Sequence, residues 1–270
     1  VVWASQNIDP KYINPELTTS EPYVMGSHAT CSGAWCSGPK DISPDEYFWG
    51  YNRMMTVEGL FGAGDAVGGT AHAFSSGSFT EGRLAAKAAV QYINDGMADN
   101  MNVSDKQVAD LKAKIYKPLD NYTIGRNEIV GGTVSPSYIL PIQGLQRLEK
   151  IMDEYCGGIG VNYMTNDKLL NIGVEKLKIF EEDLENIGAE DLHQLMRAWE
   201  LKHRHRTSES VMQHTLFRKE TRWPGYYYRG DALKLDDENW HALTVSHRNR
   251  DTGEYTMEKA PVYHIVDEDE

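Results

Sequence analysis

One histidine and one glycine-rich turn carry the residue types best suited to chemistry in this sequence. His28 closes the stretch Tyr23-Val24-Met25-Gly26-Ser27-His28, where a short strand runs into a turn of small residues. An imidazole presented on such a turn can donate to an anion or move a proton near neutral pH; a structural or solvated histidine fits the same pattern. The second stretch is Gly59-Leu60-Phe61-Gly62-Ala63-Gly64-Asp65, followed by a Gly- and Ser-rich loop over 66–82. Gly62, Gly64, Gly68, Gly69 and Gly77 can bring main chain close to a ligand, and the Asp65 carboxylate can accept from ribose or ribityl hydroxyls. Backbone N–H groups at the start of the helix that follows, near Ser78 and Phe79, favour an electron-rich oxygen. Without a ligand, the same residues make a tight strand-to-helix connection.

The elements that must position these groups can be read from hydrophobic spacing. The mostly apolar run 54–61 predicts a buried strand delivering the turn, and 81–94 predicts a helix with Leu84, Ala85, Ala88, Ala89, Tyr92 and Ile93 on one face. Residues 31–51 hold Trp35, Tyr47, Phe48, Trp49 and Tyr51, which serve either as buried loop aromatics or as the wall of a pocket or partner surface. After Gly96 the character changes. Ser104-Asp105-Lys106-Gln107 opens a helix carrying Val108, Leu111, Ile115 and Tyr116, and Lys117-Pro118 is expected to stop it. Helices are predicted over 139–155 and 164–184, and another from Ala189 with Leu192, Leu195, Met196 and Trp199 facing one way. Residues 104–220 therefore read as an antiparallel helical bundle whose apolar stripes are core.

Two charged stretches have open readings. Lys202-His203-Arg204-His205-Arg206 either complements the dipole of a helix end or binds a phosphate. The arginine- and aromatic-rich loop 218–229 is either a binding edge or a clamp. Strands are predicted over 242–247 and 255–265 around the turn Arg250-Asp251-Thr252-Gly253-Glu254.

Composition narrows the function classes. With 40 acids against 27 Lys and Arg, the net charge of −13 argues against a broad nucleic-acid footprint or adhesion to an anionic membrane. No apolar run approaches the roughly 20 residues of a membrane helix, so a soluble, cytoplasmic protein is expected. Three cysteines with no second Cys pair near Cys31 and Cys36 predict reduced thiols and no metal site. The chain starts without Met, at Val1-Val2-Trp3-Ala4, and reads as a fragment entered in mid-domain. A Gly-x-Gly-x-x-Gly between strand and helix is missing from it, so a complete dinucleotide-binding unit is not expected here.

Taken together, the His28 turn, the Gly59–Asp65 stretch and Lys219-Glu220-Thr221-Arg222 with Arg229 and Asp236-Asp237-Glu238-Asn239-Trp240 resemble the rear part of fumarate reductase/succinate dehydrogenase type flavoproteins. Ser27-His28-Ala29-Thr30-Cys31-Ser32-Gly33-Ala34-Trp35, His72-Ala73-Phe74-Ser75-Ser76-Gly77-Ser78 and 220–229 look like the α subunit of the dissimilatory adenylylsulfate reductase family, over its C-terminal portion. That resemblance implies an α+β or α/β chain in three parts. Residues 1–98 would be the C-terminal part of an FAD-binding flavoprotein domain, 99–220 a helical bundle, and 221–270 the arginine/aromatic loop with a C-terminal β-hairpin extension.

It further implies FAD as cofactor, adenosine 5′-phosphosulfate reduced to sulfite and AMP or the reverse, and an iron-sulfur β subunit with two four-iron clusters as electron donor. Asp65 would hold the ribityl chain. Ser78 and Phe79 would offer N–H groups to the flavin pyrimidine oxygen, and His28 would contact the sulfate or phosphate end as the catalytic histidine. His72 is a weaker substrate-side candidate. Dicarboxylate enzymes of the wider family carry Asn-Arg-Leu where this chain has His72-Ala73-Phe74, which argues against fumarate or succinate. The remaining alternatives are a flavoprotein acting on another acid substrate and a non-catalytic, partner-docking piece.

Overall fold

The structure is a computed structural model that describes residues 9, 11–12, 32–68, 75–99, 102–127, 135–222 and 227–262. Its contacts divide the chain into two compact units, Val1–Met101 and Asn102–Glu270. No helix among the described residues is long and apolar enough to cross a membrane.

In the first unit the segment 32–68 is a loop fastened by isolated bridges: Ala34 parallel to Val67, Cys36 antiparallel to Met55, and Met54 antiparallel to Phe61. The buried strand expected over 54–61 is instead a reversal. Gly59 at φ +76° turns the chain back, Met55 N–H donates to Leu60 O at 2.8 Å, and Val57 and Leu60 stand exposed. Helix α1, Ser75–Asn94, buries Glu81, Ala85, Ala88 and Tyr92, a spacing of four, three and four that puts them on one face. Ile93, expected on that face, is exposed. Tyr92 meets the rings of Tyr51 and Phe61 edge-on at 5.2 and 5.9 Å, so the small α1 face closes on aromatic groups from the loop. Trp35 contacts Tyr47 and Trp49 at 4.9 and 6.3 Å between centroids, which makes the loop aromatics a half-buried cluster of their own.

The second unit opens with α2, Asp105–Arg126, capped by the reciprocal Ser104–Gln107 pair: Ser104 N–H donates to Gln107 Oε1 at 2.8 Å and Gln107 N–H to Ser104 Oγ at 3.2 Å. Contrary to expectation the helix runs straight through Pro118. Proline there removes one ladder bond, and tertiary hydrogen bonds compensate. Ala189 N–H donates to Pro118 O at 2.8 Å, Trp199 Nε1–H to Ile115 O at 2.9 Å, and the Asn121 amide to the carbonyls of Glu185 and Ile187. Val108, Leu111 and Tyr116, expected as core, are exposed.

Helices α3 (Pro141–Tyr155), α4 (Asp167–Leu184) and α5 (Leu192–Phe217) pack pairwise around Leu148, Ile151, Leu170, Leu177, Phe180, Ala198, Leu201 and Met212. Proline at the first helical position starts α3 two residues later than expected, and Asn166, whose side chain accepts from Leu169 N–H, starts α4. α5 begins after its cap Asp191, with Leu195 buried but Leu192 and Met196 exposed. A Cβ on Gly144 would lie 2.5 Å from Leu201 Cδ2, so α3 and α5 need glycine to approach this closely. Met164–Thr165, expected as helix, is strand β1 and pairs in parallel with β2, Tyr228–Arg229.

After the short helix α6 (Asp237–Trp240), strands β3 (Ala242–Arg248) and β4 (Tyr255–Pro261) form the expected antiparallel hairpin, with Arg248 opposite Tyr255 and Ala242 opposite Pro261. The hairpin docks on α5 through His214, whose Nδ1 lies 3.1 Å from Thr244 Oγ1 and Nε2 2.9 Å from Ser246 Oγ. Neutral imidazole satisfies both hydroxyls, donating to one and accepting from the other. Burial, followed by the charge of Arg218, holds this imidazole below the usual histidine range. Its contribution is complete above about pH 6.5 and is lost as pH falls through the folded-state value, because the unfolded chain takes up the proton first. The melting temperature is therefore expected to drop between pH 7.5 and 5, with a smaller drop in His214→Gln. An identical drop in both would exclude His214 as a source.

Candidate functional site

Asp65 sits in a single 3₁₀ turn, Gly64–Ala66, with its side chain exposed. Gly64 is buried at φ +66°, and a Cβ there would lie 3.3 Å from Ser78 Oγ. The turn that carries Asp65 thus lies against the first turns of α1, and its left-handed backbone angle favours glycine. Behind it, a Cβ on Gly33 would meet Gly68 N at 2.5 Å and Val67 C at 2.6 Å, while Ala34 N–H donates to Ala66 O and Gly68 N–H to Ala34 O.

α1 starts at Ser75, earlier than the spacing predicts. Ser78 and Phe79 lie just inside the helix end, and the Phe79 side chain is 80% exposed. No acid occupies the first turn, which leaves the helix end electropositive. His28 and His72 lie outside the described residues.

A pair that sequence reasoning missed holds this arrangement. Arg53, at φ +62°, donates its N–H to Ser37 O at 2.8 Å, and its own carbonyl accepts from Gly62 N–H at 3.0 Å. Its guanidinium grips Glu81 of α1 with Nη2 2.9 Å from Oε1 and Nε 2.8 Å from Oε2, while Nη1 faces Cys36 Sγ at 3.7 Å. The two side chains are 19% and 11% exposed. The available signal was Glu81 itself, an acid in register with the buried Ala85, Ala88 and Tyr92, which requires a cationic partner.

Within the second unit, the described residues 218–222 and 227–229 form a clamp. Arg229 is fully buried; it donates to the carbonyls of Thr215 and Arg218 and pairs with Asp167 and Asp231. Glu220, also fully buried, accepts from Arg218, from Arg222 Nε at 2.7 Å and from Asp236 N–H at 3.0 Å. Burial acts to raise the Asp231 carboxyl, but Arg229 and the Asp167 N–H bring it down to about 2. The cluster 202–206 lies in the middle of α5, not at a helix end. Arg206 pairs with Glu181 and Glu209, Lys202 reaches Glu185, and buried His205 places Nε2 2.8 Å from Leu177 O. Cys156 is likewise structural, its thiol pushed up to about 11 by burial, against a hydrogen bond with Thr215.

Residues 145–266 match the family described as fumarate reductase flavoprotein C-term. The adenylylsulfate reductase subunit alpha of Megalodesulfovibrio gigas is 40% identical over 275 residues, covering 99% of this chain and 41% of that protein. The solved adenylylsulfate reductase of Archaeoglobus fulgidus superposes with a TM-score of 0.84 at 48% identity, covering 98% of this chain and 42% of that one. From end to end the chain is similar to the adenylylsulfate reductase α subunit. A solved adenosine-5-phosphosulfate reductase in complex with sulfite, as a covalent adduct, aligns equally well, with the same identity, coverage and TM-score. The chain spans about two fifths of the length of these relatives. Likeness to the adenylylsulfate reductase α subunit thus extends over both units, taking in the Asp65 turn and the Arg229 clamp alike.

Proposed function

We propose that this chain is the C-terminal portion of a catalytic α subunit that, with FAD, reduces adenosine 5′-phosphosulfate to sulfite and AMP or runs the reverse reaction. The observation that carries the reading is the 48% identity with the Archaeoglobus fulgidus adenylylsulfate reductase over 98% of this chain. The residues fit the cofactor: Gly64 lets the Asp65 turn close on α1, whose first turn is free of acid. Asp65 would accept from the ribityl hydroxyls, and the N-terminal turns of α1, with Ser78 and Phe79, would face the electron-rich pyrimidine oxygen. Bound there, FAD supplies the two-electron chemistry that side chains lack.

His28 would donate to the sulfate or phosphate end of the substrate and steady the charge that develops there. His72 is the weaker candidate for the same neighbourhood. Electrons would come from an iron-sulfur β subunit with two four-iron clusters, and a cytoplasmic location belongs to the same proposal. With His72-Ala73-Phe74 in place of a carboxylate-gripping arginine, fumarate and succinate are not the expected substrates.

Purification of the full-length counterpart with its partner tests the reading: a visible flavin absorbance band and adenylylsulfate-dependent oxidation of a reduced dye are expected. A protein that carries no flavin would overturn it.

A further inference from the structure

We propose that Arg53 and Glu81 form a positioning pair that fixes the Asp65 turn against α1 and balances the charge beside the bound flavin, an inference that rests on the flavin reading above. Three observations converge on this pair. First, Arg53 holds a left-handed backbone angle, φ +62°, rare for a residue with a side chain, and both its backbone groups are engaged: N–H with Ser37 O, carbonyl with Gly62 N–H. Gly62 opens the turn that leads to Asp65, so the backbone of Arg53 sets where that turn begins. Second, its guanidinium pairs with Glu81 on α1 through one hydrogen bond, Nη2 to Oε1, and a close charge contact between Nε and Oε2, so one residue ties the turn and the helix together.

Third, the pair lies where its charge matters. Glu81 is three residues beyond Ser78, about 4.5 Å further along the helix axis, and both ions are largely removed from water. A buried ion pair is a poor source of net stability compared with apolar residues of the same volume, so stability alone does not account for one here. Balanced, the pair leaves the electropositive start of α1 to act on the flavin. Unbalanced, it adds a full charge close to where charge builds on reduction.

The test uses the full-length protein with its partner, and reads FAD affinity after removal and reconstitution together with the midpoint potential of bound flavin. Arg53→Met leaves the Glu81 carboxylate unbalanced and is expected to weaken reduced FAD tenfold more than oxidised FAD, lowering the potential by about 30 mV for a two-electron couple. Glu81→Gln, nearly isosteric and the variant best placed to fold, leaves Arg53 unbalanced and should raise the potential by a similar amount. The double variant should return to the wild-type potential with FAD bound roughly tenfold more weakly. Arg53→Lys keeps the charge but not the fork, so affinity should fall while the potential stays. Opposite signs in the two single variants are the outcome a merely structural pair would not give. Variants that retain flavin with unchanged affinity and potential, or whose potentials all move one way, would overturn the pair's role. A wild-type protein without flavin would instead overturn the flavin reading itself.

Discussion

Replacing Arg229 by Met is expected to destabilise the second unit by roughly 3 kcal/mol, the low end of the range for breaking a buried ion pair. The guanidinium is fully buried and fills four roles: it satisfies the carbonyls of Thr215 and Arg218, and it pairs with Asp167 and Asp231. Methionine replaces its volume but none of its donors, so two carbonyls at the end of α5 lose their partner. The carboxylates are 47% and 35% exposed, and water re-solvates them in part, which keeps the cost from the upper end. A loss of this size lowers the melting temperature of a unit this large by about 6–12 °C. Arg229→Lys should recover little, because one ammonium cannot reach all four acceptors. The Asp231 contribution is present above about pH 3.9 and is lost as pH falls through its folded value of about 2, so the acid limb of the stability curve should shift in the variant. By contrast, Lys117→Met, which removes a surface partner of Glu185, is expected to cost under about 1 kcal/mol. Thermal melts of the four proteins check the ranking; an Arg229→Met melt equal to that of Lys117→Met would contradict the clamp.

The second large effect is expected at His28. In the full-length enzyme, His28→Ala should slow turnover by about 10²- to 10⁴-fold if the imidazole transfers a proton or steadies charge at the anionic end of the substrate. Flavin content should stay unchanged, since under the proposed flavin reading Asp65 and the N-terminal turns of α1, not His28, would hold the cofactor. The two readouts, turnover and flavin absorbance, separate a substrate-side histidine from a structural one. An unchanged rate would remove His28 from the site.

Much of this fold is written in local pattern. The apolar spacing of α3 and α4 and the Arg250–Glu254 turn announce elements that the structure contains, because nearest-neighbour chemistry decides them. Elsewhere partners distant in sequence decide. Pro118 stays inside α2 because Ala189 and Trp199 donate to carbonyls of that helix and its Asn121 donates to those of Glu185 and Ile187, across separations of up to 84 positions. Met164–Thr165 leaves the helical pattern because Tyr228–Arg229 offers a parallel strand. The Asp65 turn was visible as glycine and acid, but Arg53 and Glu81, 28 positions apart, come together only in the fold. The loop 218–229 showed its charge without its burial, so a clamp and a binding edge look alike until Arg229 and Glu220 are seen enclosed.

The most direct measurement of the central claim is AMP release by the full-length protein purified with the proposed iron-sulfur partner, supplied with a reduced dye and either adenosine 5′-phosphosulfate or fumarate. The account predicts equimolar AMP and sulfite with the first and no dye oxidation with the second. Dye oxidation by fumarate without AMP release from adenylylsulfate would contradict it.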